Sequence, residues 1–164
     1  MTPGESYEGE VPPYSVGVAN LSAVLPLGER FIVQPSLYAG WQTEYPGRMN
    51  FVHNLAAGGI LAGRYVEYQM PFFGNPVGFL TCGRFGGVAQ LDLRYRLNHK
   101  NFLTLKGAVL QDKDVLKEMF TTAPTTYAIG LEVGQKSIFG PMKLGFQWCD
   151  TVGFSIALSL GFDF

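Results

Sequence analysis

The end of the sequence alternates strictly between apolar and small or polar side chains, and its last residue is a phenylalanine. Period-two alternation of this kind is typical of a β-strand whose two faces meet different surroundings. Chain ends usually fray unless something holds them, so the sequence predicts a final strand that is paired inside a larger sheet. Its apolar members are Phe154, Ile156, Leu158, Leu160, Phe162 and Phe164.

The same alternation recurs upstream in short segments that are joined by turn sequences and polar loops. An interruption near Asn20 suggests a β-bulge in the first strand, and the polar loop at about 111–125 suits one helical turn. No segment has the pattern of a crossover helix. The sequence therefore predicts an all-β fold with an antiparallel up-and-down sheet of about seven or eight strands. The alternating segments are 14–26, 31–42, 88–97, 103–109, 127–133 and 142–148.

Composition and charge narrow the class of protein. Twelve basic residues against 13 acidic residues give no basic field for nucleic acid, and 15% charged residues is low for a soluble domain. No apolar run is long enough for a transmembrane helix, and the start does not have the pattern of a signal peptide. Cys82 and Cys149 are too few for a disulfide framework or a zinc site, and whether they pair stays open.

The alternation alone does not say which face meets water. In a soluble barrel the apolar face is the core, whereas in an outer-membrane barrel it meets lipid. Two features favour the membrane: the polar face of the last strands is mostly Gly, Ala and Ser, and large aromatic residues lie near strand ends as an interfacial girdle would. Strands of about ten residues also match a tilted crossing. We therefore expect a transmembrane β-barrel in the outer membrane of a Gram-negative bacterium. The girdle candidates are Trp41, Trp148, Phe154, Phe162 and Phe164.

The sequence divides into a polar linker at 1–13 and a barrel domain at 14–164. A long insert at about 43–87 is expected to be irregular and extracellular if the carboxyl end is periplasmic. The segment YVEYQMPFF at 65–73 alternates and is a candidate for an eighth strand that would let the chain close alone. The alternatives are several copies in one barrel, or the tail of a longer protein.

A family resemblance over roughly residues 50–164 depends on the order of four segments. These are NLAAGGILAGRYVEYQMPFFG, LDLRYRL, SIFGPMKLGFQW and the aromatic final strand. This order resembles the carboxy-terminal half of bacterial surface-antigen (BamA/TamA-like) barrels, and above all the barrel attached to patatin-like phospholipases of Bacteroidetes. The resemblance implies half of a 16-stranded barrel and a final strand that the barrel-assembly machinery recognises.

The resemblance also implies a loop motif whose arginine folds back into the lumen and contacts acidic residues. The nearest match here has the order Gly-Arg-Tyr and consists of Gly58, Gly59, Gly63, Arg64 and Tyr65. An arginine inside a barrel needs a carboxylate partner, and the inward-facing candidates are Asp92, Glu132 and Asp163.

Motifs for catalysis are missing from the sequence. There is no G-x-S-x-G nucleophile elbow, no H-E-x-x-H, no phosphate loop and no EF-hand, and His53 and His99 lack a nucleophile nearby in sequence. We expect no catalysis, cofactor or metal in this chain, and a role in anchoring or exporting an amino-terminal patatin-like phospholipase segment. The alternatives are an insertase-type barrel and a small self-contained eight-stranded barrel. Expected partners are outer-membrane lipid, the assembly machinery and, if copies share a barrel, a homo-oligomer.

Overall fold

The computed structural model describes residues 14–43, 54–59, 67–76, 78–138 and 140–161. These residues form an all-β structure with one helical turn, and none of their helices is long and apolar enough to span a membrane. The strands are β1 (Val16–Ser22), β2 (Leu25–Leu27), β3 (Phe31–Gln42), β4 (Ala56–Gly58), β5 (Gln69–Met70), β6 (Phe79–Thr81), β7 (Phe85–Arg96), β8 (Asn101–Lys113), β9 (Thr126–Ser137), β10 (Gly140–Cys149) and β11 (Gly153–Leu160), and the helix is α1 (Glu118–Thr121).

Eight of the strands form one antiparallel sheet in the order β1-β3-β7-β8-β9-β10-β11, with β2 also paired to β3. This confirms the predicted all-β class and the up-and-down order. Strands β1 and β2 lie end to end against β3 in one continuous register, since Ser22 is opposite Ser36 and Leu25 is opposite Val33. Seven strand positions therefore lie side by side across the sheet.

The bulge predicted near Asn20 is wrong, because Asn20 lies in register opposite Tyr38. The strand is interrupted at residues 23–24 instead. Ala23 donates a backbone hydrogen bond to the carbonyl oxygen of Pro35 at 3.1 Å, but a proline has no N–H to return to the ladder. The interruption at residues 23–24 is therefore caused by Pro35 on β3, and β1 and β2 contain no inserted residue between them that would shift the register.

Short turns join most neighbouring strands, as the sequence predicts. The turn after β7 is held by Asn98, whose Oδ1 accepts hydrogen bonds from the backbone N–H groups of Lys100 and Asn101 at 2.9 and 2.8 Å. Gly28, in the turn before β3, has a φ of 76°, a conformation that favours glycine. The helical turn expected in the polar loop after β8 is α1.

One face of the sheet, here called the apolar face, carries large hydrophobic side chains that are exposed along every strand position. Leu131 at its centre is 41% exposed and Ile156 on β11 is 57% exposed. A soluble barrel would bury this face. Its exposed members on the seven strand positions include Leu21, Leu25, Leu37, Trp41, Leu91, Leu93, Leu105, Val109, Tyr127, Ile129, Val133, Leu144, Phe146, Trp148, Phe154 and Leu158.

The opposite face, here called the polar face, carries small and polar side chains and is partly covered by the insert between β3 and β7. The insert contains a three-stranded sheet in the order β5-β4-β6. A cluster of buried hydrophobic residues forms where the insert meets the polar face. It contains Leu55, Ala57, Met70, Phe72, Phe73 and Cys82 from the insert, and Val88, Ala108, Leu110, Ala128 and Cys149 from the large sheet.

Glycines on the polar face make room for this insert. A Cβ atom on Gly86 would lie 2.8 Å from the Cε of Met70, and one on Gly130 would lie 3.1 Å from a ring carbon of Phe73. At these two positions, glycine on the polar face is therefore explained by the packing of the insert.

The prediction that the insert is irregular is wrong. It contains β4, β5 and β6, and β7 already begins at Phe85. The proposed eighth strand at 65–73 is also wrong over its described part, because only Gln69–Met70 is a strand and it belongs to the small sheet. Pro71 ends it, and Phe72 and Phe73 are both buried in spite of their opposite parity.

A single side chain of β3 ties two described segments of the insert to the sheet. Gln42 is buried, its Oε1 accepts a hydrogen bond from the N–H of Leu55 at 2.8 Å, and its Nε2 donates to the carbonyl oxygens of Cys82 and Gly83 at 3.2 and 2.9 Å. Cys82 and Cys149 are both buried and free, so they do not form a disulfide with each other.

Candidate functional site

The polar face carries a cluster of charged side chains at the centre of the sheet, next to the insert. Lys106 of β8 lies directly opposite Asp92 of β7 and diagonally across from Glu132 of β9, because Glu132 is opposite Thr104. The Lys106 ammonium nitrogen is 3.2 Å from Oε2 of Glu132 and 3.8 Å from Oδ2 of Asp92. One cation therefore joins two carboxylates from the neighbouring strands.

The cluster is shielded from solvent and extended by further polar contacts. The side chains of Asp92 and Glu132 are 10% and 13% exposed. Gln90 Nε2 donates a hydrogen bond of 2.9 Å to Oδ1 of Asp92. The ammonium nitrogen of Lys106 also lies 5.7 Å from the ring centroid of Phe73, which belongs to the insert, so the insert contacts the cluster through a cation–π interaction.

A second cation on the polar face is Arg94, which lies two residues after Asp92 on β7. The Arg94 guanidinium is 5.0 Å from the ring centroid of Phe102, and its Nε donates a hydrogen bond of 3.4 Å to Oγ1 of Thr104. The Phe102 ring occupies the space where a Cβ atom on Gly134 would lie. A cationic side chain and an aromatic ring are therefore packed side by side on the polar face.

The cluster borders a polar cavity of about 270 Å³ between the sheet and the insert. The insert contributes Gly59, Pro71 and Phe73 to its wall. The strands contribute Gln34, Ser36, Tyr38, Gln90, Asp92, Arg94, Lys106, Glu132 and Lys143.

The chemistry of this site is electrostatic. Lys106 neutralises charge on two carboxylates that would otherwise repel each other in a weakly solvated place. Among the described residues, no three His, Cys, Asp or Glu side chains are grouped so that they could hold a metal ion. The ion pairs link the adjacent strands β7, β8 and β9 on the polar face. The insert packs against this charged surface through Phe73.

Two of the three predicted acidic residues meet at this site. Asp92 and Glu132 both face the polar side and share Lys106. The third, Asp163, and the loop residues Gly63, Arg64 and Tyr65 lie outside the described residues, as do Phe162 and Phe164. The pairing of Asp92 and Glu132 with Arg64 thus stays a prediction.

The remaining glycines of the loop motif have special backbone conformations in the insert. Gly58 and Gly59 have φ values of 145° and 68°, both in the region that favours glycine. The Gly59 N–H donates to the carbonyl oxygen of Asn75 at 2.7 Å, and the Gly58 carbonyl accepts a hydrogen bond of 2.5 Å from Nε2 of Gln69. These two glycines therefore turn the chain at the end of β4.

Lys106 is the site residue that sequence reasoning missed. The signal was present, because the turn around His99 makes β7 and β8 a hairpin and places residue 106 opposite residue 92. A lysine paired across strands with an aspartate is an ion-pair candidate on register alone. To predict the contact with Glu132, the register of β9 against β8 would also have to be known, and the longer loop at 114–125 between these strands leaves that register open.

Three of the five aromatic residues expected at strand ends, Trp41, Trp148 and Phe154, lie there on the apolar face, and the other two lie outside the described residues. Trp148 of β10 is opposite Phe154 of β11, and its ring lies 6.4 Å from that of Tyr127, near the start of β9. At the other end of the sheet, Phe31 and Tyr95 are cross-strand partners with ring centroids 4.8 Å apart. Two aromatic groups therefore flank the aliphatic middle of the apolar face.

Comparison of the chain with models of protein families, with curated proteins and with solved structures gave no match in any of the three.

Proposed function

We propose that this chain is a membrane-embedded β-barrel domain of the bacterial outer membrane, with its apolar face in lipid and its polar face toward the lumen. The observation that carries the proposal is the exposure of large hydrophobic side chains along all seven strand positions. The polar face, by contrast, holds ion pairs and the insert. This distribution is the reverse of that in a soluble β-barrel and matches a barrel solvated by hydrocarbon.

The dimensions of the apolar face support the same proposal. Phe31 and Trp41 lie near the two ends of β3 on this face, ten positions apart. At about 3.3 Å per residue and a tilt of about 40°, this separation spans about 25 Å along the membrane normal. The apolar band of outer-membrane barrels is of that height and is flanked by aromatic girdles.

Within this proposal, the chain anchors or exports an amino-terminal patatin-like phospholipase segment and performs no catalysis itself. The support is the order of segments that resembles the barrels of such proteins, together with the folding of the insert onto the polar face. The final strand serves as the signal for the barrel-assembly machinery, supported by the four described apolar residues of β11 on the lipid side.

Quenching of tryptophan fluorescence by brominated phospholipids tests the membrane proposal. The chain has two tryptophans, and Trp41 and Trp148 are both on the apolar face and are 48% and 45% exposed. In vesicles of phosphatidylcholine brominated on the acyl chain, we expect strong quenching of both, assigned with the single variants Trp41→Phe and Trp148→Phe. Emission of both tryptophans at the wavelength of water-exposed indole, without quenching, would show that this face does not meet lipid.

A further inference from the structure

The two edges of the large sheet run in the same direction. Every neighbouring pair from β1 to β11 is antiparallel, and seven strand positions lie side by side, so the first and the last share one direction. Among the described residues, the outer edges of β1 and β11 have no strand partner. Unpaired backbone edges cost several kcal/mol per group in hydrocarbon, so a membrane-embedded sheet needs a partner at each of them.

Neither direct closure nor a second copy gives antiparallel seams. If β11 paired with β1 of the same chain, the two strands would be parallel, giving a barrel with an odd number of strands. If two copies with the same orientation in the membrane shared a barrel, both seams would be parallel. Bacterial outer-membrane barrels are antiparallel with an even number of strands, and antiparallel order is restored only by an odd number of added strands.

The width of the interior sets a lower limit on that number. An eight-stranded barrel has an interior just wide enough to be filled by its own side chains. The polar face here already carries the β5-β4-β6 sheet and the side chains of Leu55, Met70 and Phe72. Because neighbouring strands lie about 4.8 Å apart, a three-stranded sheet needs a wider lumen. One added strand is therefore too few.

We infer that this sheet is one part of a wider barrel, completed by an odd number of strands, three or more, from polypeptide other than these 164 residues. The added segment has alternating apolar and small residues, runs antiparallel to β1 at one seam and to β11 at the other, and turns its apolar side to the lipid. Residues 1–13 do not alternate in this way and contain Pro12 and Pro13. This inference rests on the proposed membrane function.

The register identifies the backbone groups that receive the added strands. Gly161 N–H donates to the carbonyl oxygen of Pro141, so the odd-numbered residues of β11 are hydrogen bonded to β10 and the even-numbered N–H groups point to the free edge. The free-edge amides of β11 are those of Phe154, Ile156, Leu158 and Leu160. On β1, Ala23 N–H donates to Pro35, so the free-edge amides are those of Val16, Val18, Asn20 and Ser22.

Hydrogen exchange on the 164-residue chain in detergent micelles tests whether these edges close on themselves. We expect the eight free-edge amides to exchange near the rate of an unfolded peptide while amides of β8 are strongly protected. Protection of the free-edge amides together with contacts between β1 and β11, or protection that appears only as copies associate, would overturn the inference. Quenching of Trp41 and Trp148 in vesicles of brominated phosphatidylcholine would show that the membrane proposal survives that failure.

Photo-crosslinking in outer membranes of the producing bacterium tests for the added strands directly. A benzoylphenylalanine is placed at Ile156 or at Leu160, and at Leu105 in the middle of the sheet as the matched control. We expect adducts from both edge positions to a segment outside these residues, with the two sites in reverse sequence order, as an antiparallel strand requires. Adducts to β1 of this chain or of a copy, or no edge adduct while Leu105 crosslinks to its own neighbours, would overturn the inference.

Discussion

The side chain of Leu55 lies in the space that a Cβ atom on Gly40 would occupy. Gly40 is in β3 on the polar face, and Leu55 is fully buried at the start of the described part of the insert. The two residues belong to the same region as Gln42, which hydrogen bonds to the backbone of Leu55. The insert is thus fitted to the sheet by shape as well as by hydrogen bonds.

The first prediction concerns this fit. Gly40→Ala should lower the free energy of unfolding by about 1–3 kcal/mol, because the added methyl group overpacks the contact with Leu55. In the double variant Gly40→Ala, Leu55→Ala, the loss of stability should be smaller than the sum of the losses in the two single variants, since the smaller side chain leaves room for the methyl group. Urea denaturation in micelles measures the three variants.

Gly107→Ala is the matched control for this cycle. Gly107 lies on the apolar face, and a Cβ atom there would have nothing within 4 Å. We expect no loss of stability. A loss at Gly107 as large as that at Gly40, or strict additivity in the double variant, would contradict the packing argument.

The second prediction concerns the charged cluster. Lys106→Met should destabilise the fold by about 3 kcal/mol, because it leaves two shielded carboxylates without their shared cation. The triple variant Asp92→Asn, Lys106→Met, Glu132→Gln should recover most of that loss, since no unpaired charge remains. Lys100→Met, in the exposed turn after β7, should change stability by less than about 0.5 kcal/mol. A triple variant no more stable than Lys106→Met would mean that packing, and not charge, holds the cluster.

The architecture of the large sheet could be predicted from the sequence because each of its strands repeats one physical rule. Alternation at period two assigns a face to residues such as Leu93 and Asp92 before their partners are known, and turn residues such as Asn98 then define the hairpin. What the alternation could not show was the interruption at residues 23–24, since its cause is Pro35 on the neighbouring strand.

The conformation of the insert could not be predicted either, because it depends on contacts with residues distant in sequence. Its residues are buried from several sides, so Gln69, Met70, Phe72 and Phe73 are all buried although they do not share one parity. Local periodicity carries no information about such a segment. Its conformation depends on glycines of the sheet that are distant in sequence, Gly40 and Gly86 among them.

The third prediction tests where the membrane midplane crosses the apolar face. Leu131 lies in the middle row of the apolar face, between Leu105 and Phe146. Leu131→Lys should cost about 2–4 kcal/mol of stability in phospholipid vesicles, whereas Gln135→Lys, on the same strand and face but near its end, should cost about 0–1 kcal/mol. Unfolding titrations in vesicles give both values. Equal costs at the two positions would contradict a membrane midplane near Leu131.

The fourth prediction concerns the thiol of Cys82, which is 1% exposed in the insert. Burial, and secondarily the negative charge of Asp112, raises the pKa of this thiol. Because the thiolate is the reactive form, a raised pKa lowers the rate of alkylation at about pH 8. In a Cys149→Ser background, iodoacetamide should label Cys82 slowly in the folded protein and rapidly in urea.

An exposed cysteine provides the control for this experiment. Leu116 is 54% exposed in the loop after β8, and Leu116→Cys in a background without the two native cysteines should be labelled roughly 100-fold faster than Cys82 in the folded state. Similar labelling rates for Cys82 and for the cysteine introduced in the loop would show that the insert opens readily in solution.

The last prediction tests the final strand as an assembly signal. Phe164→Ser, or deletion of Phe164, should lower the amount of protein in the outer membrane, because the assembly machinery would lose the terminal aromatic residue of the alternating strand. The matched control is Phe120→Ser, since Phe120 is 85% exposed in the loop of α1 and lies far in sequence from the signal. Immunoblots of outer-membrane fractions, compared with total cell extract, give the ratio of assembled to synthesised protein. Equal ratios for the Phe164 variants and the unchanged chain would contradict the signal, whereas a loss with Phe120→Ser as well would indicate a general effect on folding.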